Sequence, residues 1–151
     1  MKKDKDLLLK YLCMALPYGV ICNDNRHGSS RVTNIDITPD DIEHKNPKVV
    51  LYYFDFDECG GLKNCKPYLR TMSSMTEDES SELSNIISEW WDKELFTLTE
   101  EPMIEFALSR LKYSINPMLF NWLLENHFDF MGLIPKDLAI EVTESNNPYK
   151  E

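Results

Sequence analysis

Residues 49–56, VVLYYFDF, are the most β-prone stretch of the chain, and how they are read decides the fold. The run is almost continuously apolar up to Asp55, which predicts a central strand covered on both faces. Towards the N-terminus, Thr33, Ile35 and Ile37 alternate with Asn34 and Asp36, as in a half-buried strand. Residues 18–22 read as a further strand, and 23–30, rich in Asn, Asp, Gly and Ser, as a loop or wide hairpin. Thr38-Pro39-Asp40-Asp41 combines a cap hydroxyl, a proline at the first helical position and a carboxylate at the third, which predicts a helical turn to about His44. Beyond the run, a loop containing Gly60-Gly61 leads to a return strand over 67–71, with Pro67 at its start where no ladder donor is needed.

Helices flank this strand-rich part. Leu8, Leu12, Ala15 and Leu16 recur at helical spacing, and Pro17 and Gly19 stop the helix they define. Asp4, Asp6 and Lys10 interrupt its apolar run, so it does not read as a secretory signal. No later window approaches the roughly 18 apolar residues of a membrane span, and the expected location is the cytoplasm. In the second half, Thr76 and Glu79 form a capping box that opens a helix with Leu83, Ile86, Ile87 and Trp90 inward. Thr99 caps a second helix, with Ile104, Ala107, Leu108 and Leu111 inward, and Asn116-Pro117 opens a third, with Leu119, Trp122 and Leu123 inward. Residues 138–142 read as a short last strand and 145–151 as a frayed tail.

These elements predict one α+β domain over 1–151: a helix over 1–16, mainly strands over 17–72, helices over 76–128, then the tail. Its centre is expected to be a single antiparallel sheet of about four or five strands, with an N-terminal helix and a three-helix C-terminal half.

Composition narrows the function classes. The 151 residues are 42% hydrophobic and 28% charged with only 5 Gly, a soluble globular balance that excludes disorder and low-complexity repeats. A formal charge of −10, from 26 acidic and 16 basic residues, disfavours a direct electrostatic grip on nucleic acid or an anionic membrane. The charge is not evenly spread. Residues 1–76 carry net +1, residues 77–105 net −9 and residues 106–151 net −2. The acidic segment reads as a solvated helical face, or as a patch that steers a basic protein partner. Glu77, Asp78, Glu79 and Glu82 would form that patch, with Trp90 and Trp91 as apolar anchors.

A second constellation is weighed against this one. Asp55 and Asp57 lie on one face at a strand end, where two carboxylates could share a divalent ion in a small metal-dependent hydrolase. His127 and Asp129 would complete it if the fold brought them there, although each also has a helix-capping explanation. Cys13, Cys22, Cys59 and Cys65 lack the tight spacing of a zinc site, and Cys13 and Cys22 read as buried thiols. There is no P-loop, dinucleotide fingerprint, nucleophile elbow or paired-histidine zinc helix, and no cofactor is expected.

Three blocks carry a resemblance: LLLKYLCMALPYGVIC (7–22), KPYLRTMSSMTEDE (66–79) and WLLENHFDFMGLIPKDLAIEV (122–142). In this order they resemble a family of small proteins encoded by Bacteroidales phages, prophages and their hosts. The resemblance implies a phage or mobile-element setting and transfers no catalytic residue. Similar proteins tend to carry Arg where this chain has Met131, and Pro where it has Thr71. An activity resting on those two positions would not extend to this chain.

Overall fold

The computed structural model describes residues 2–38, 48–55, 60–90 and 117–150. The helical turn expected after Thr38, the helix expected from Thr99, and Asp57 and Trp91 lie outside the described residues.

Helix α1 (Lys2–Ala15) buries Leu8, Tyr11, Leu12 and Ala15, a stripe at helical spacing that lies on the sheet. Cys13 was expected inside, but it is exposed, because one residue past Leu12 the helix has turned about 100° away from that stripe. Pro17 lies in the short 3-10 turn that ends α1, and Gly19 closes the turn at φ 71 by donating its N–H to the Leu16 carbonyl. Glycine adopts this left-handed conformation without steric cost.

Strand β1 (Ile21–Asp24) then pairs antiparallel with β2 (Gly28–Thr38). Of the two forms expected for residues 23–30, a loop or a wide hairpin, they take the hairpin, and it is tight rather than wide. Asp24 accounts for the difference. Its side chain is buried, and its Oδ1 accepts the Arg26 N–H at 2.9 Å, tying the carboxylate to the backbone two residues on.

Strand β3 (Lys48–Tyr53) pairs antiparallel with β2, and the register shifts between Val32 and Asn34. The two-residue strand β4 (Gly60–Gly61) continues the sheet beside β3. A Cβ at Gly60 would stand 2.6 Å from Asp24 Oδ2 and 2.7 Å from Tyr53 Cε2, so only glycine fits between these buried side chains. On the other side of β1 lie β5 (Cys65–Leu69), antiparallel to β1, and β6 (Ile140–Glu141), parallel to β5.

The strand order is β4-β3-β2-β1-β5-β6. The fold is α+β with an N-terminal helix on a single sheet, as expected, but the sheet is mixed and has six strands among the described residues. The expected count missed β4, whose two glycines are too short a run to show any periodicity, whereas β6 falls within the short strand expected over 138–142. The run at 49–56 is not central. It lies one strand from the edge, alternates in burial, and ends at Tyr53; Phe54 is 76% exposed. Pro67 is in mid-strand opposite Cys22, and β6 pairs only with the following Tyr68 and Leu69.

Helices α2 (Glu77–Trp90) and α3 (Pro117–Glu125) pack against each other in the C-terminal half. Leu83 and Ile87 of α2 meet Leu119, Trp122 and Leu123 of α3, with Phe128 completing this second core. The Trp122 and Phe128 rings stack at 5.5 Å. Phe130 packs against both this core and the one beneath α1, with its ring 5.2 Å from Phe120 and 6.4 Å from Tyr11. The described residues thus hold three α-helices, two of them in the C-terminal half where three were expected.

The C-terminal segment, read as frayed, is docked. The Tyr149 hydroxyl accepts the Ile21 N–H at 3.2 Å and donates to the Tyr68 carbonyl at 3.0 Å, joining β1 to β5. Its ring stacks on His127 at 3.7 Å. Removing the hydroxyl in Tyr149→Phe is expected to lower stability by about 1–2 kcal/mol, since each lost hydrogen bond is worth about 1 kcal/mol net. Urea unfolding would measure this, and a change within error would show that the hydroxyl's two hydrogen bonds contribute nothing to the fold.

Candidate functional site

The acidic helix α2 begins at an anchored corner. Thr76 and Glu79 form the expected capping box: Glu79 N–H donates to Thr76 Oγ1 at 3.2 Å, and Thr76 N–H donates to Glu79 Oε2 at 2.8 Å. Arg70, one residue past β5, adds a contact that spacing could not show. Its Nη1 donates to Glu79 Oε1 at 2.6 Å, and its Nη2 donates to Glu79 Oε2 at 2.8 Å and to the Ser74 carbonyl at 3.1 Å. The guanidinium also lies over the Phe128 ring, 4.4 Å from its centroid. Hydrogen bonds from Arg70, reinforced by those from the helix start, hold the Glu79 carboxyl at about 2. Glu79 is therefore internal structure and not part of a free acidic patch, which corrects its expected place there.

The rest of the patch faces solvent. Glu77, Asp78 and Glu82 are exposed, as is Glu89. Asp78, Glu82, Asn85 and Glu89 follow one another at four-, three- and four-residue steps and so form one stripe along the helix. No lysine or arginine lies on α2. Trp90 is the last described residue of the helix, and its side chain, like the whole of Trp91, lies outside the described residues. Their expected anchoring role therefore has no geometry here.

The second constellation is taken up differently by the fold. Asp55 sits just past β3, where Ser30 Oγ donates to its Oδ2 at 2.7 Å and accepts its backbone N–H at 3.2 Å. This pair lines a cavity of about 320 Å³ with Ile21, Arg31, Phe54 and Pro148. Asp129 is far less available. Its Oδ1 accepts the Leu133 N–H and its Oδ2 the Ile134 N–H, both at 2.8 Å, so the carboxylate caps the turn that follows.

His127 closes α3. It adopts φ 57, its N–H donates to the Leu124 carbonyl, and the Phe128 N–H reaches back to Leu123. These are the two bonds of a Schellman motif, with histidine where glycine is usual. Capping was expected to involve the cationic ring. Instead burial, with the Arg70 charge adding to it, lowers the His127 pKa to about 4, so the ring is neutral near pH 7. Among the described residues, no three His, Cys, Asp or Glu side chains converge in an arrangement that could hold a metal ion.

With this geometry in view, the chain was compared with known proteins. No family model, curated protein or solved structure matches it. The functional reading therefore rests on the residues themselves. Arg70 and Ser30, which the sequence reading did not single out, became visible only through the packing that brings them to Glu79 and Asp55.

Proposed function

We propose that this chain is a non-catalytic accessory protein of a phage or mobile element that binds a basic protein partner through the acidic segment 77–105. The observation that supports this reading is the charge of α2. An acidic first turn favours the helix, because carboxylates there interact well with the positive end of the dipole, and that explains Glu77, Asp78 and Glu79. It does not explain Glu82 or Glu89. Both lie beyond the first turn, and among the described residues of α2 there is no lysine or arginine to pair with either. A face that carries carboxylates beyond those its first turn calls for suits recognition of lysine- or arginine-rich surfaces, steering their approach and fixing register. The Arg70–Glu79 anchor holds that face at a set angle to the sheet. The proposed setting is the host cytoplasm, and no described helix is long and apolar enough to cross a membrane.

Charge reversal tests the reading. Asp78→Lys, Glu82→Lys and Glu89→Lys together leave the capping box intact. A control reverses the exposed Asp6, Glu125 and Glu141, which changes net charge equally. Against poly-L-lysine, the α2 variant is expected to lose at least about tenfold more affinity than the control, with the difference shrinking at high salt as screening sets in. Equal losses in the two variants would make the acidity a general solubility device and overturn the proposal.

A further inference from the structure

A second charged surface has the opposite sign. Four lysines, Lys5 of α1, Lys63 of the 3-10 turn at 62–64, Lys66 of β5 and Lys136 of the 3-10 turn at 134–136, line one cavity of about 270 Å³. Among the described residues Asp4 and Asp137 are the carboxylates in that lining; Asp137 is engaged with Lys66, and Asp4 feels the charge of Lys136. Lys5 and Lys63 make no ion pair with any described residue. The walls below the charges are apolar, with Leu62 and Leu138 partly buried and Leu8 buried.

In a chain of net charge −10, three stretches of chain therefore bring four lysines to line one small cavity, and two carboxylates cannot neutralise them. Like charges held close repel one another, and a bound anion relieves that repulsion. The excess of two positive charges matches a phosphate monoester, which carries about −1.5 to −2 at pH 7. Lysine binds phosphate well as a point charge, without the planar fork that carboxylates favour in arginine. The volume lies just below the roughly 300–1,000 Å³ of sites for drug-sized ligands, which sets the ligand at the scale of a small metabolite.

We propose that this cavity binds a small phosphate monoester, with the dianion held by Lys5 and Lys63 and the organic body against Leu62 and Leu138. The site is independent of the acidic helix, so either reading can fail alone.

The test titrates the full chain with phenyl phosphate, inorganic phosphate and benzoate, followed by amide chemical shifts and calorimetry. Phenyl phosphate is expected to shift the amides of Leu62, Lys63, Cys65 and Leu138 and to bind several-fold more tightly than either of the other two. Lys5→Gln with Lys63→Gln, at exposed positions where folding is not at risk, is expected to weaken it by about tenfold, the equivalent of about 1.4 kcal/mol. The proposal is overturned by any of three results: no shifts at these amides up to about 10 mM, a Kd range far weaker than pockets of this size give; affinity unchanged in the double variant; or benzoate binding as tightly as phenyl phosphate.

Discussion

Replacing Arg70 with alanine is expected to lower the stability of the fold by about 2–4 kcal/mol, a large share of the roughly 5–15 kcal/mol that holds a domain of this size. Three interactions disappear together. The bidentate pair with Glu79 is lost, the Ser74 carbonyl loses a donor, and the Phe128 ring loses its cation. Both partners of the ion pair are only 21% exposed, so solvent compensates in part and the cost exceeds that of an open surface pair. Chemical unfolding of Arg70→Ala beside Arg70→Lys separates the effects, because lysine keeps the charge and loses the fork. The lysine variant is expected to recover less than half of the loss. A loss below about 1 kcal/mol in Arg70→Ala would place the pair among solvent-screened surface contacts. The same pair predicts an acid limb. Glu79 is depressed to about 2 from a carboxylate's usual value near 4.3, so its contribution is complete above that value and fades as pH falls towards 2.

Above that acid limb, between pH 7 and pH 4, a second and separate loss of about 2–3 kcal/mol is expected from His127. Its folded pKa of about 4 lies below the 6.5 of an unfolded histidine, so the unfolded chain takes up a proton first. Stability is therefore full above 6.5 and is lost progressively as pH falls to about 4. The cause is burial between the Tyr149 ring and the end of α3, with Arg70 adding a like charge to the protonated form. His127→Asn removes the titration while tolerating the left-handed backbone, since asparagine enters that region more easily than most residues. Its unfolding midpoint is expected to be nearly flat over this range, and a slope equal to that of the parent chain would assign the loss to another group.

Much of this architecture was legible in the sequence because it rests on local rules. The capping box at Thr76 and Glu79, the inward Leu119, Trp122 and Leu123 of α3 and the inward stripe of α1 each follow from a few neighbouring residues. The errors arose where a distant residue decides. The run at 49–56 looked central because apolarity reports burial, not strand order, and its place beside the two-residue β4 depends on Gly60 fitting against Asp24 and Tyr53. Asp24 tightened the hairpin at 23–30, and Tyr149 docked a polar tail, each through hydrogen bonds that no periodicity encodes. The same holds for function. The acidity of 77–105 could be counted directly, yet Glu79 had to be removed from the patch once Arg70 was found beside it. Lys5, the neighbouring pair Lys63 and Lys66, and Lys136 are too far apart in sequence to suggest a common site, and only folding gathers them.

The central claim is that the exposed stripe of α2 is a docking face for a basic partner, and mapping amide shifts during a titration with poly-L-lysine tests it most directly. The claim predicts that the largest shifts fall within residues 77–105, centred on Asp78, Glu82 and Glu89, with the amides of Glu141 and Glu144 nearly unmoved. Shifts spread over all exposed carboxylates in proportion to their number would contradict it.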